Sequence, residues 1–286
     1  MNGITAVVLT YNEEKRIANV LESLKAFDAV LVMDKSSTDR TREIAESYGA
    51  VVVTVPYSDE ASTFELREKT VETSYTMFDN EWLFSVVASD IIHKDLYSEM
   101  LNAIKAAGEE YEVIEVPIYR YSMGVIGKNS YYGGLKYQAD LSTRHVRKEN
   151  LGRKEIIHED PNRGYKKYRM NCKDEKVAVY HLTHERLDLI MDRHLRYSAQ
   201  YVTDWEKNGK SREDIMRYAW HECVRVVFAY FKLGMFKLKK VGMAQCMMLL
   251  MYNAMIYLHA FFSKEQEEEI KAIYKEICDN CKGETK

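Results

Sequence analysis

Proline is nearly absent. Only Pro56, Pro117 and Pro161 occur in 286 residues, so long uninterrupted elements are expected. Cysteine is scarce: five residues, an odd number with no framework spacing, point to a reduced, cytosolic chain. Neither sign of charge dominates, and a formal net charge of -3 implies no general affinity for nucleic acid. The amino terminus has no basic segment followed by an apolar one, so no secretory signal is expected. No glycine-rich loop follows the first apolar run, which argues against a phosphate cradle of that kind. No internal repeat or low-complexity segment is present. With 30% charged and 46% hydrophobic residues, the chain is long enough and apolar enough to bury a large core.

The first half alternates. Strand-like apolar runs at 4–9, 29–33, 50–55 and 82–87 are separated by helical patterns near 13–25, 40–48 and 63–78. That spacing predicts repeated β-α units on a mostly parallel sheet. Asn12 reads as an N-cap for the first helix, with Ile17, Val20, Leu21 and Leu24 as its apolar stripe. Thr38 or Asp39 reads as the cap of the next, which should stop at Gly49. After about residue 185 the pattern is almost wholly helical. The expected division is 1–185, a catalytic domain, and 186–286, a helical region.

Two segments carry the chemistry. Ile4 to Leu9 leads into Thr10-Tyr11-Asn12-Glu13-Glu14, and Ala29 to Met33 leads into Asp34-Lys35-Ser36-Ser37-Thr38-Asp39-Arg40-Thr41. Ligand sites of open α/β sheets lie at the carboxyl ends of strands. Together the segments resemble the amino terminus of family 2 glycosyltransferases of the GT-A fold, in which a strand with T-Y-N-E-E pairs with D-x-S-S-T-D-x-T. The resemblance implies a Rossmann-like α/β domain that holds a nucleotide-sugar donor. Thr10 and Tyr11 would lie at the nucleoside, Tyr11 against the base, and Glu13 and Asp34 would contact base or ribose. Asp39 has two readings, a ligand contact or a helix cap. Arg67 matches an arginine that faces the diphosphate; a surface charge paired with a neighbouring glutamate is the alternative.

One departure stands out. Members read W-x-L-x-L-D-A-D-E, whose D-x-D carboxylates bind a divalent metal. This chain reads Trp82-Leu83-Phe84-Ser85-Val86-Val87-Ala88-Ser89-Asp90, so only Asp90 remains. Hard dications prefer several oxygen ligands, which puts dependence on manganese or magnesium in doubt. Asp90 and His181 are the candidate ligands, and arginine or lysine could stabilise the leaving group instead. A loss of the motif also fits a non-catalytic relative that binds glycan or a protein partner.

Gly133-Gly134-Leu135 and Arg144-His145-Val146-Arg147 resemble the family's G-G-W and R-L-F-R, which brings Arg144 into the candidate donor site. Ile157-His158-Glu159 resembles its V-H-E. The resemblance makes Glu159 the base for the acceptor hydroxyl, with Asp160 as the fallback and His158 near acceptor or phosphate. Without it, Glu-Asp-Pro reads as turn chemistry. His181 precedes Arg196-Tyr197 by the family's spacing, which implies contact with the diphosphate or its metal. The lone Cys278-x-x-Cys281 has no partner pair and reads as inert.

Residues 210–240 carry eight basic side chains against three acids, and Val241 to Ser263 carries no formal charge. Tyr230 to Phe236 with Gly242 resembles lipopolysaccharide-core glucosyltransferase-like members, which act on lipid-linked acceptors. The expectation is an inverting hexosyltransferase of cell-surface polysaccharide synthesis, cytoplasmic, touching the inner face of the membrane through this region. A homodimer interface is the alternative use of the same surface.

Overall fold

In a computed structural model, which describes residues 3–56, 62–152 and 162–282, the chain divides into two units, Met1–Glu185 and Arg186–Lys286. The amino-terminal unit is built on one mixed sheet. β1 (Ile4–Thr10), β2 (Ala29–Asp34), β3 (Val51–Thr54) and β4 (Trp82–Val87) lie parallel in the order β3-β2-β1-β4. The sheet continues through β7 (Leu135–Thr143), β6 (Val113–Ser122), β9 (Val179–Thr183) and β5 (Asp90–Ile92), with β8 (Lys167–Arg169) paired to β6. β7 runs antiparallel to β4 and β6, and β5 antiparallel to β9. The other pairings are parallel, which makes a mostly parallel sheet of the expected α/β class.

The strand sequences explain the two layers. Side chains alternate along a strand, so Ile4, Ala6 and Val8 of β1 enter one core with Trp82, Phe84 and Val86 of β4. Val7 enters a second core with Leu31, Met33 and Leu83. The first is covered by α1 (Ile17–Ser23) and α4 (Leu96–Ala107), whose Ile17, Val20, Leu21, Leu96 and Met100 belong to it. α2 (Thr41–Ser47) and α3 (Ser62–Met77) complete the β-α alternation, and α5 (Arg144–Glu149) follows β7. The first helix starts later than expected, at Ile17, because Asn12 does not cap it. Asn12 takes a positive φ of 53° and turns its side chain to the neighbouring loop.

The carboxyl-terminal unit contains α6 (Leu187–Lys207), α7 (Arg212–Lys232), α8 (Lys240–Phe261) and α9 (Lys264–Lys282). Tyr201, Val202, Ile215, Ala219, Ile256 and Ala260 form its core. α7 returns to α8 through Gly234, whose φ of 70° suits glycine. Gly242 lets α8 approach that turn: a Cβ there would stand 1.9 Å from the Met235 carbonyl oxygen. Arg212 donates to the His259 and Ala260 carbonyls, satisfying the end of α8. α8 is long and apolar enough to cross a membrane, but Gln245 and Asn253 are buried along one side of it. On α7, Trp220, Phe228 and Phe231 are 63%, 69% and 65% exposed.

Candidate functional site

The first polar group grows from the ends of β1 and β2, where Thr10 and Asp34 lie side by side in register. Asp34 is fully buried. Its carboxylate accepts from the Thr10 hydroxyl at 3.3 Å, from the Ser37 amide at 2.9 Å and from the Ser37 hydroxyl. The loops beyond then exchange hydrogen bonds in both directions. Asn12 donates its amide to the Ser37 hydroxyl and accepts from the Thr38 amide, each at 2.8 Å. The Glu13 amide donates to the Thr41 hydroxyl at 2.7 Å, and the Glu14 amide to Asp39 at 3.1 Å. Glu14 in turn accepts from the Arg40 amide at 3.2 Å. Asp39 also accepts from the Thr41 amide at the start of α2, so it serves its own helix and the other loop together. Burial works to raise its carboxyl, but the bonds from Thr41 and Glu14 outweigh this and hold it below its ordinary value. Glu13 is paired with Arg16 through two bonds of 2.8 Å. Tyr11, in the first of these loops, is 37% exposed.

A second polar group spans the other half of the sheet. Arg120 of β6, His181 of β9 and Asp90 of β5 are register partners across three adjacent strands. His181 Nδ1 lies 2.7 Å from Asp90 Oδ1, which fixes the proton on Nδ1 and leaves Nε2 for a ligand. The other Asp90 oxygen accepts from the Val87 amide at 2.9 Å. Arg120 donates to Gln138 Oε1 at 2.6 Å, and Gln138 donates to Asp140 Oδ1 at 3.0 Å. Burial and the nearby Asp90 push the Asp140 carboxyl up to about 7, against the pull of Arg147, Gln138 and Arg120. Arg147 is brought down to about 10 by burial, opposed by Asp140. Its guanidinium bonds only neutral oxygens among the described residues: Ser142 and Ser85 hydroxyls at 2.6 and 2.8 Å, and the Leu83 and Asp140 carbonyls.

This donor set does not fit a hard dication. Val87, Ala88 and Ser89 stand at the motif positions, and both Asp90 oxygens already have N–H partners. Among the described residues no cluster of three His, Cys, Asp or Glu could hold a metal. Two guanidinium cations beside the second carboxylate would also repel one.

The expected site residues thus fall into two groups, Thr10, Tyr11, Glu13 and Asp34 in one and Asp90 with His181 in the other. Arg67 donates to the Asn150 carbonyl at 3.1 Å. Arg144 is set apart: it donates to the Ser74 and Phe78 carbonyls at 2.9 and 3.0 Å, about the end of α3, and lies over Tyr75. His158, Glu159 and Asp160 lie outside the described residues. Arg120, Gln138 and Asp140 were not anticipated, and Arg147, on α5, entered only as the last residue of the R-L-F-R-like segment. For the first three the signal was charge and amide within β6 and β7, which becomes meaningful only with the strand pairing known.

The profile of the family described as Glycosyl transferase family 2 matches residues 5–61, the span that holds both interlocked loops. Over those residues the chain is similar to glycosyltransferase family 2. An uncharacterized glycosyltransferase of Rickettsia bellii (strain RML369-C) is 24% identical over 223 residues, 74% of this chain and 70% of its own. One from Rickettsia felis (strain ATCC VR-1525 / URRWXCal2) is 33% identical over 101 residues, 35% of this chain and 33% of its own length. Among solved structures, S. aureus TarS 1-349 aligns with a TM-score of 0.47 and 16% identity, covering 71% of this chain and 65% of that one. The chain therefore spans less than two thirds of some of the proteins it matches.

Proposed function

We propose that this glycosyltransferase is inverting and moves a hexose-like sugar from a nucleotide-sugar donor to a glycan acceptor, one carried on a lipid in cell-surface polysaccharide synthesis. The observation that carries the donor half is the clasp between the loops at 10–14 and 34–41. It fixes, at the carboxyl ends of two parallel strands, a surface of backbone and hydroxyl groups, with the partly exposed Tyr11 in the first loop. A ring held this way can stack on a base with little loss of entropy. In this reading Thr10, Glu13 and Asp34 shape the nucleoside pocket, and Asp34, being buried, acts by holding Ser37 and Thr10. Arg67 and Arg144 are assigned to the donor side by the family resemblance alone. Glu159 is the proposed base, with Asp160 in reserve and His158 at acceptor or phosphate. The product would form by a single in-line displacement.

The test is a thermal-shift panel of sugar nucleotides, because a ligand that binds the folded state raises its stability. One donor should raise the melting temperature and then support transfer to a glycan acceptor. Stabilisation without turnover on any acceptor would favour a binding protein that has kept the fold. A panel with no shift at all would remove the donor assignment.

We further propose that the chain works at the cytoplasmic face of the membrane, docked through α7. Its exposed Trp220, Phe228 and Phe231 stand among Arg217, Arg225 and Lys232, with Lys237, Lys239 and Lys240 beyond its end. Aromatic side chains flanked by basic ones suit an anionic lipid surface.

A further inference from the structure

We propose that Arg120 and His181 together form the subsite for the donor's diphosphate, taking the place of a metal ion. This rests on the donor reading above and adds to it the chemistry of the leaving group. Departure of a nucleoside diphosphate leaves extra negative charge on its terminal phosphate, and something must stabilise it. The motif that would recruit a dication is Val87-Ala88-Ser89 in this chain, and the remaining Asp90 has both oxygens engaged.

Arg120 and His181 stand on the same row. Arg120 is the register partner of His181, and His181 of Asp90. Among the described residues Arg120 has no ion pair; its recorded bond goes to the neutral Gln138 oxygen at 2.6 Å. A guanidinium held by a neutral amide keeps most of its charge for a ligand, and its planar fork can bind phosphate oxygens in pairs. Gln138 is itself fixed by its bond to Asp140 at 3.0 Å, so Arg120 is oriented from behind. His181 is oriented by Asp90 through Nδ1, which leaves Nε2 for a ligand. Arg147, half-buried and bonded to neutral oxygens, adds a fixed positive charge that no phosphate needs to touch. The carboxylates do not cancel this. Asp90 has both oxygens engaged by N–H groups, and burial beside Asp90 raises the Asp140 carboxyl to about 7.

The experiment is calorimetry with UDP, GDP, CDP and dTDP, each against its nucleoside, first in EDTA and then in manganese. The wild-type chain should bind one diphosphate in EDTA, with manganese changing its affinity by less than about two-fold. Arg120→Gln should weaken that diphosphate roughly 10–100-fold, the worth of a lost hydrogen bond to a charged group, and leave the nucleoside unchanged. His181→Gln should show a smaller loss of the same selectivity. Arg120→Lys, which keeps the charge but not the fork, should fall between; it supplies the contrast if the Gln variant does not fold. Wild-type binding that needs manganese, or an Arg120→Gln chain that is folded and binds the diphosphate normally, overturns the proposal while leaving the donor reading intact. No binding of any diphosphate, with or without manganese, overturns both.

Discussion

Asn12 offers the sharpest test of how the donor loops are held. Its φ of 53° lies in the left-handed region, and its Oδ1 accepts the Thr38 amide at 2.8 Å. The two contributions can be separated by substitution. Asn12→Gly keeps the backbone conformation at no steric cost and loses only the acceptor, a typical 0.5–1.5 kcal/mol, plus the flexibility glycine adds to the unfolded chain, about 0.5–1 kcal/mol. Asn12→Ala loses the acceptor and also the local side-chain hydrogen bonding that lets asparagine tolerate the left-handed region, which exposes up to about 1–2 kcal/mol of backbone strain. Asn12→Asp keeps an acceptor in the same place. Urea denaturation should therefore rank the wild type close to Asp, then Gly, with Ala lowest, at about 2–3 kcal/mol below wild type. Donor affinity should fall in the same order, since Tyr11 rides on the same turn. If Ala proves no worse than the acceptor loss alone, the backbone strain argument is wrong. If Gly and Ala both match the wild type, the clasp does not hold the loops.

Asp140 predicts a pH effect. Its carboxyl is raised from 3.8 to about 7, so the folded chain keeps a proton that the unfolded chain has released between those values. Stability should then fall as pH rises from about 4 to about 7, by roughly 4 kcal/mol at most, less whatever Arg147 returns. Asp140→Asn should flatten that slope in urea titrations at pH 5 and pH 8, and an equal slope in both chains would dismiss the assignment. For the membrane reading, sedimentation with vesicles rich in anionic lipid should carry the protein down at low salt and release it at high salt. Trp220→Ser with Phe228→Ser should keep it in the supernatant; a wild-type chain that stays there and runs as a stable dimer would make this face a subunit interface.

The β-α alternation was legible because each of the first four strands is an apolar run and the first helix carries a 3.6-residue stripe. Strand ends at Thr10 and Asp34, the stop at Gly49 and the change to helix after residue 185 all follow from local pattern. Asn12 was misread for a physical reason. Asn before a helix is a common cap, but it is also among the few residues that tolerate positive φ, and only the partner loop decides between them. The clasp between the two loops could not be read as a lattice from the sequence, since its bonds join positions about 25 apart. The second group was foreseen only at Asp90 and His181. Arg120, Gln138 and Asp140 sit in strands whose neighbours could not be deduced, because β5, β6, β7 and β9 pair out of chain order.

The two polar groups differ in a way that bears on their work. In the first, Asp34 is buried and answered by hydrogen bonds from its own neighbourhood, so its charge is spent on architecture. A saturated carboxylate is a poor hand for a ligand and a good anchor for a loop. In the second, Arg147 is half-buried and bonded to hydroxyl and carbonyl oxygens, and Arg120 to an amide. Burying a cation without a bonded carboxylate costs stability. A core serving structure alone would lose that cost by replacing Arg147 with an apolar side chain of similar volume. Retaining it makes sense where a positive potential is needed beside the row of Arg120 and His181. The same charge that weakens the fold there would hold a diphosphate in place and ease its departure.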